Sequence, residues 1–400
     1  MKLPNYVITA INLLERNGYE AYVVGGAVRD YLMGMTPHDF DLSTNATPID
    51  VKKVFKSYFV IDTGIKHGTV SVMIDKHLLE ITTYRFEEEY TDYRRPNEVH
   101  FIKNIKEDLI RRDFTINAIC FNKDILDLVG GINDLNLKLI RAIGDPIKRF
   151  TEDPLRILRA LRFASVLDFK IEENTKTAII KNFSLLEKVS KERINSEFSK
   201  ILLGKNSKNI LLEYKTLLEE YVLRTNINET NIIASTYLEN DLILRLACLF
   251  IDFDYKEIEE KLLALKYPKK HIKKIVLIIE NYNLDLNIDK LGIMKILKKV
   301  DYDIIGLIIK IKYAYLKVEN QNSNILDSYA YIYKSLKSKY LKLKDLKING
   351  KDLIEIGFKE GIEIKYVLEK LLDECISGLE NEYEVLIKKA EEYRNEIYKT

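Results

Sequence analysis

Two patterns of apolar and polar positions divide the chain. Over residues 20–128, short runs rich in β-branched and aromatic residues recur: AYVVGG, TVSVMID, HLLEITTYR and AICFNKDILDLV read as strands, with AVRDYLMG and PIDVKKVFKSY as helices between them. After Pro154 the remaining roughly 250 residues are rich in Leu, Ile, Lys and Glu at helical spacing, as in PLRILRALRFASVL and EYKTLLEEYVLR, with little that resembles a strand. Gly130, Gly131, Gly144, Pro146 and Pro154 mark the junction, and no internal repeat or low-complexity tract is present. The predicted architecture is α+β: a mixed sheet with helices, followed by an all-helical remainder.

Composition sharpens this only in places. A chain of 400 residues with 46% hydrophobic content can bury a sizeable core in two to four domains. Lys+Arg 63 against Asp+Glu 61 leaves a net charge of +2, so a nucleic-acid partner must be argued from local clusters. Two exist: residues 261–279 hold six lysines and no acid, and residues 331–350 hold six lysines against Asp345 alone. Either is also what a solvated helix face looks like. Cys120, Cys248 and Cys375 are far apart among apolar neighbours and read as reduced core residues. No stretch resembles a signal peptide or reaches the ~18 apolar residues of a membrane span, so the expectation is a soluble, cytoplasmic protein.

The stretch GGAVRDYLMGMTPHDFDLST, residues 25–44, carries the first chemistry. If HDFDL is extended, Asp39 and Asp41 project to one face, roughly 7 Å apart at Cα, while Phe40 and Leu42 face the core. Two like charges on one face invite a cation between them, and Mg²⁺, a hard ion that prefers carboxylate and phosphate oxygens, suits the position. An exposed strand edge with two solvated acids would read the same. Gly25 and Gly26, between an apolar strand and a helix, let backbone N–H groups approach a phosphate, and Arg29 adds a fixed cation. The pattern matches neither GxGxxG nor a P-loop, which disfavours those nucleotide-binding modes. Glu80, in HLLEITTY, lies on a strand expected to pair with TVSVMID through the DK turn, and is a candidate third acid or a solvent-facing strand residue.

Two arginine segments follow. In RRDFTINA, residues 111–118, Arg111 and Arg112 offer donors for phosphates, and Asp113 and Asn117 a carboxylate and an amide for ribose hydroxyls; an ion-paired helix start is the other reading. In TEDPLRILRALRFA, residues 151–164, Pro154 suits a first helical position and Asp153 an N-cap, with Arg156 and Arg159 at three-residue steps. An Arg donor beside an Asp acceptor matches the N3 and N4–H₂ edge of cytosine and the N1 and N6–H₂ edge of adenine, while uracil and guanine present the reverse order. A site of matched polar groups rejects the mismatched analogue by ~10⁴ or more.

Together these motifs resemble the class II tRNA nucleotidyltransferases, the CCA-adding enzymes of the polymerase-β-like superfamily. GGAVRDYLMG with HDFDLST is similar to the first family motif, RRDFTINA to the second, DLVGGINDLNLKLIRAIGDP to the third, EDPLRILRALRFA to the fourth and KERINSEFSKIL to the fifth, in order over residues 22–202. The resemblance implies a head over 1–140, a neck with the base template over 141–205, a body over 206–300 and a tRNA-binding tail over 301–400. It implies template-independent addition of CCA to the tRNA 3′ end from CTP and ATP by two-metal nucleotidyl transfer with Mg²⁺, releasing pyrophosphate. Asp39 and Asp41 would bind the metals, with Glu80 as accessory acid. Gly25, Gly26, Arg29, Arg111, Asp113 and Asn117 would contact the nucleotide, Asp153 and Arg156 would template the base, Glu152 would orient that pair and Arg159 would lie beside it. The family's helical portion grips the tRNA acceptor arm, implying RNA contacts for Lys269, Lys270, Lys273, Lys274, Lys337, Lys339 and Lys342.

Rival readings differ by short segments. GIKHGTV, residues 64–70, and the lack of a long basic C-terminal extension favour the CCA-adding form over a bacterial poly(A) polymerase. YRFEEEYTDYRRPNEVHF, residues 84–101, resembles the flexible loop that CC-adding enzymes lack, leaving full CCA addition or A addition alone. A non-catalytic RNA-binding protein would be expected to have lost one of the paired aspartates. A His-Asp phosphohydrolase is excluded, since only His271 lies beyond residue 100.

Overall fold

The computed structural model describes residues 1–37, 39–65, 68–87, 99–284, 290–337 and 341–398. The chain forms two compact units, Met1–Asn226 with Ala264–Tyr267, and Ile227–Leu263 with Pro268–Thr400. Among the described residues no helix is long and apolar enough to cross a membrane.

The first unit opens with α1 (Asn5–Arg16), β1 (Ala21–Val24) and α2 (Gly26–Leu32), then β2 (Asp41–Thr44), α3 (Pro48–Val54), β3 (Phe59–Ile61), β4 (Thr69–Ile74) and β5 (His77–Thr83). Asp75 and Lys76 close the β4–β5 hairpin with φ of 49° and 66°, the left-handed pair that a two-residue turn demands. A short antiparallel ribbon, β6 (Arg85–Glu87) with β7 (Val99–Phe101), precedes α4 (Ile105–Ile110). The hairpin β8 (Ile119–Phe121) and β9 (Ile125–Asp127) completes a seven-stranded sheet of order β3-β4-β5-β2-β1-β8-β9.

Register assigns the two faces of that sheet. Val72 lies opposite Leu79 and Val70 opposite Ile81, Ile81 beside Leu42 and Leu42 opposite Val23, and all are 0% exposed. α3 packs against β4 and β5. The alternate positions put Asp41 beside Glu80 in the parallel β2–β5 pair and Ser71 opposite Glu80 in the hairpin, on the other face.

α5 (Gly131–Asn136), α6 (Pro146–Glu152), α7 (Leu155–Leu167), α8 (Glu173–Asn182), α9 (Lys191–Leu202), α10 (Ser207–Glu213) and α11 (Lys215–Leu218) follow. α7 and α9 pack closely, and the Ser165 hydroxyl donates to the Ile201 carbonyl at 2.7 Å. The regular elements described in the second unit are all helices: α12 (Glu229–Thr236), α13 (Leu242–Leu249), α14 (Tyr255–Ala264, whose last residue belongs to the first unit), α15 (Lys269–Asn281), α16 (Lys290–Lys299), α17 (Tyr302–Glu319), α18 (Asn324–Ser335), α19 (Gly350–Glu355), α20 (Ile362–Ser377) and α21 (Tyr383–Ile397).

Three details depart from the sequence reading. AICFNKDILDLV is a hairpin rather than one strand, PIDVKKVFKSY ends as helix at Val54, and β10 (Leu139–Ile140) pairs in parallel with β11 (Lys170–Ile171) beyond Pro154. Cys120, Cys248 and Cys375 are buried free thiols, and burial pushes Cys120 and Cys248 up to about 12.

Candidate active site

The paired acids lie where β2 begins. Asp39 and Asp41 are exposed while Phe40 and Leu42 are 8% and 0% exposed, the alternation of an extended segment. The Asp41 carboxyl is raised above its ordinary range by burial, by the neighbouring Glu80 and by Asp39, with Arg112 acting in the opposite sense. Among the described residues no three His, Cys, Asp or Glu side chains meet as a ligand cluster, so Asp39 and Asp41 stand as a pair that feels Glu80 through its charge. Carboxylates crowded by like charge suit a hard divalent cation.

Gly25 adopts φ 72° and ψ −129°, a conformation other residues rarely take, and turns the chain from β1 into α2. There it borders a cavity of about 490 Å³. Its walls are Gly25, Gly26, Arg29, Asp41, Arg111, Arg112, Asp113, Asn117, Asp153, Arg156, Arg159, Arg162 and Phe163. The glycine turn, the acid strand and both arginine segments therefore share one chamber.

Most of the polar wall residues are held by one another or by neighbours. Arg29 donates to Asn117 Oδ1 at 2.8 Å, and Asn117 Nδ2 to Asp113 Oδ1 at 3.2 Å. Arg159 Nε donates to Asp113 Oδ2 at 2.8 Å. Burial pushes the Asp113 carboxyl up, but Arg159 and the Asn117 amide more than offset this and hold it below its ordinary value. Arg156, 8% exposed, donates to Glu152 Oε2 at 3.0 Å and to the Arg111 carbonyl at 3.1 Å, and Arg149 donates to the same Glu152 oxygen at 3.0 Å.

Asp153 and Arg156 occupy one turn, with the Arg156 N–H donating to the Asp153 carbonyl at 3.0 Å. Their side chains are held separately: Asp153 Oδ2 accepts from Arg193 of α9 at 3.0 Å. α7 begins at Leu155, one residue later than Pro154 suggested, yet Asp153 Oδ1 still accepts the Leu155 N–H at 3.2 Å as a cap would.

Of the residues singled out from the sequence, Asp39, Glu80 and Glu152 do not line this cavity. Glu152 lies instead in a neighbouring cavity of about 330 Å³ that also reaches Arg111. Arg162, Phe163 and Arg193 were not singled out. The guanidinium carbons of Arg162, Arg29 and Arg159 lie 3.9, 5.4 and 5.6 Å from the Phe163 ring centre. The three-residue step from Arg159 to Arg162 is a usable signal for Arg162, and Arg193 lies in KERINSEFSKIL, the segment similar to the fifth family motif, although nothing local ties it to Asp153.

The lysines converge in the second unit. Lys270, Lys273 and Lys274 of α15 share a cavity of about 530 Å³ with Lys337, Lys342, Asp301, Tyr302 and Asp303. Lys342 pairs with Asp301, and Tyr302 stacks on Tyr333 at 4.1 Å between ring centres. Lys269 begins the same helix without lining the cavity, and Lys339 lies outside the described residues, as do residues 66–67 of GIKHGTV and 88–98 of the segment 84–101.

Three family descriptions match the chain in order: Poly A polymerase head domain over residues 21–141, Probable RNA and SrmB-binding site of polymerase A over 168–221, and tRNA nucleotidyltransferase domain 2 over 237–390. The chain is similar to a CCA-adding enzyme of Ligilactobacillus salivarius, 38% identical over 421 residues covering 98% of each chain. It is 52% identical over 198 residues to a CCA-adding enzyme of Enterococcus faecalis, covering 49% of this chain and 48% of the relative. The fold matches the crystal structure of the Bacillus stearothermophilus CCA-adding enzyme in complex with CTP, with TM-score 0.82 and 29% identity over 100% of both chains. It also matches the Thermotoga maritima CCA-adding enzyme complexed with tRNA-CCA, with TM-score 0.66 and 21% identity over 98% of this chain and 96% of that one, a likeness of fold.

Proposed function

The chain belongs to the CCA-adding enzymes, nucleotidyltransferases that act on the 3′ end of tRNA, and we propose that it adds C, C and A from CTP and ATP in the arginine-walled chamber of its first unit. The observation that carries this assignment is the single cavity joining Asp41, the Gly25 turn, Asp153 and Arg156. It holds a metal-binding acid, a phosphate-admitting turn and a base-reading pair within the reach of one nucleotide.

The family's chemistry rests on a divalent metal, and Mg²⁺ held by Asp39 and Asp41 would supply Lewis acidity to the attacking hydroxyl and neutralise the triphosphate. Glu80 adds negative charge beside Asp41. Gly25 and Gly26 let the phosphates approach the backbone, and Arg29, Arg111 and Arg112 face them with fixed charge. Asn117 offers an amide to the sugar, while Asp113 holds Asn117 and Arg159 in place. Arg156 donates and Asp153 accepts at the base edge, in the order that cytosine and adenine match. Glu152 orients Arg156, and Arg193 holds Asp153. Outside this chamber, the converged lysines of the second unit are assigned to RNA phosphates. The division into head, neck, body and tail at 140, 205 and 300 and a cytoplasmic location belong to the same proposal.

The test is incorporation of each labelled nucleoside triphosphate, with Mg²⁺, onto three tRNAs ending before CCA, after C and after CC. The expected result is C, C and then A, abolished in Asp39→Ala. Addition of A to the CC end alone would make the chain an A-adding enzyme, and long A tails on any RNA a poly(A) polymerase. No incorporation would leave a binding protein.

A further inference from the structure

Asp108 is 0% exposed and takes no part in the roles assigned above. It lies on α4, three and four residues before Arg111 and Arg112. Its Oδ1 accepts from Arg111 Nε at 3.0 Å, from Arg111 Nη2 at 2.6 Å and from the Arg85 backbone N–H at 3.3 Å. Its Oδ2 accepts from Arg112 Nη2 at 3.1 Å. The same Arg112 Nη2 donates to Ser43 Oγ at 2.9 Å, and Ser43, 1% exposed, stands two residues after Asp41 on β2. One buried carboxylate thus holds two adjacent guanidiniums that both line the nucleotide cavity.

We infer that Asp108 is the positioning residue for the cavity's phosphate-facing arginines, with Ser43 as the second anchor of Arg112. The inference rests on reading that cavity as a nucleoside triphosphate site. Two neighbouring guanidiniums repel each other and carry large rotamer freedom, so unheld they would face an incoming triphosphate only part of the time. Fixing them beforehand removes that cost from binding, and a carboxylate with no solvent access is a rigid fixture. Both nucleotides share the triphosphate, so the effect falls equally on CTP and ATP. Discrimination against UTP and GTP, which belongs to Asp153 and Arg156, does not move.

The test is calorimetric binding of CTP and ATP with Mg²⁺ to the full chain, with KM and kcat measured alongside. Asp108→Asn is expected to weaken both nucleotides by about tenfold to a hundredfold, raising KM more than it lowers kcat and leaving the C and A preference intact. Ser43→Ala removes an anchor of Arg112 without touching a charge, gives a smaller shift of the same kind, and carries the test if Asp108→Asn does not fold. In the Arg111→Ala, Arg112→Ala background, Asp108→Asn adds no further weakening. If the double arginine variant binds nucleotides as the parent does, the cavity is not the triphosphate site. If that variant weakens binding while Asp108→Asn and Ser43→Ala do not, the positioning role is overturned.

Discussion

Asp113 and Asp41 line one cavity with their carboxyls shifted in opposite directions. Burial raises Asp113, but Arg159 and Asn117 lower it further, so its folded value lies below the unfolded one. Its stabilising contribution is therefore present above the unfolded carboxylate value near ~3.9 and is lost as pH falls through the folded value. Asp41 is raised by burial, Glu80 and Asp39, so its ionised form costs stability as pH climbs past the ordinary carboxylate range. Urea unfolding across pH is expected to separate the two: Asp113→Asn loses about 2 kcal/mol at neutral pH, a deficit that closes in acid, while Asp41→Asn, at a solvent-exposed position where screening blunts the charge effect, shows no such acid-closing deficit and loses incorporation. Equal responses of the two variants to pH would contradict this account. The acids were legible in the sequence because period-two alternation places Phe40 and Leu42 inside, and strand pairing then sets Glu80 beside Asp41. The partner of Arg193 was not legible, because its contact with Asp153 comes from which helix packs beside which, and the burial of Asp108 was not, because it is set by the tertiary fold around α4.

Helix contacts decide several positions that local pattern leaves silent. A Cβ on Gly204 would lie 2.1 Å from Ser165 Oγ and 2.6 Å from the Ser165 carbonyl carbon, so this glycine is where the chain leaving α9 passes against α7. Gly204→Ala is expected to destabilise the first unit by about 1–3 kcal/mol in thermal unfolding, through displacement of the helix that carries Arg156 and Arg159. An unchanged unfolding midpoint would show that the two segments can part without cost. The β4–β5 hairpin was readable because a two-residue turn needs left-handed residues and the flanking strands alternate. β10 and β11 were not, since two-residue strands carry no period, and they meet only after α7 reverses the chain. α7 starts at Leu155, one residue past the start that Pro154 predicts, because capping by a side chain does not fix where the helix begins.

Across the whole molecule the charge is nearly balanced at +2, yet the lysines of residues 261–279 and 331–350 contribute to one cavity of the second unit. Each run read alone was indistinguishable from a wet helix face, because convergence is a tertiary fact. Changing Lys270 and Lys273 to Glu is expected to weaken tRNA binding and to reduce its salt dependence by about one power of concentration per lost phosphate contact. CTP binding should stay as it was. Anisotropy titrations of labelled tRNA at several salt concentrations would check this, and an unaltered slope would assign the lysines to solvent. The molecule has 25 tyrosines and no tryptophan. That makes Phe163, ringed by three guanidiniums on the chamber wall, an optical address: an indole placed there would be the lone strong emitter, and stopped-flow fluorescence could time each nucleotide's arrival without any label.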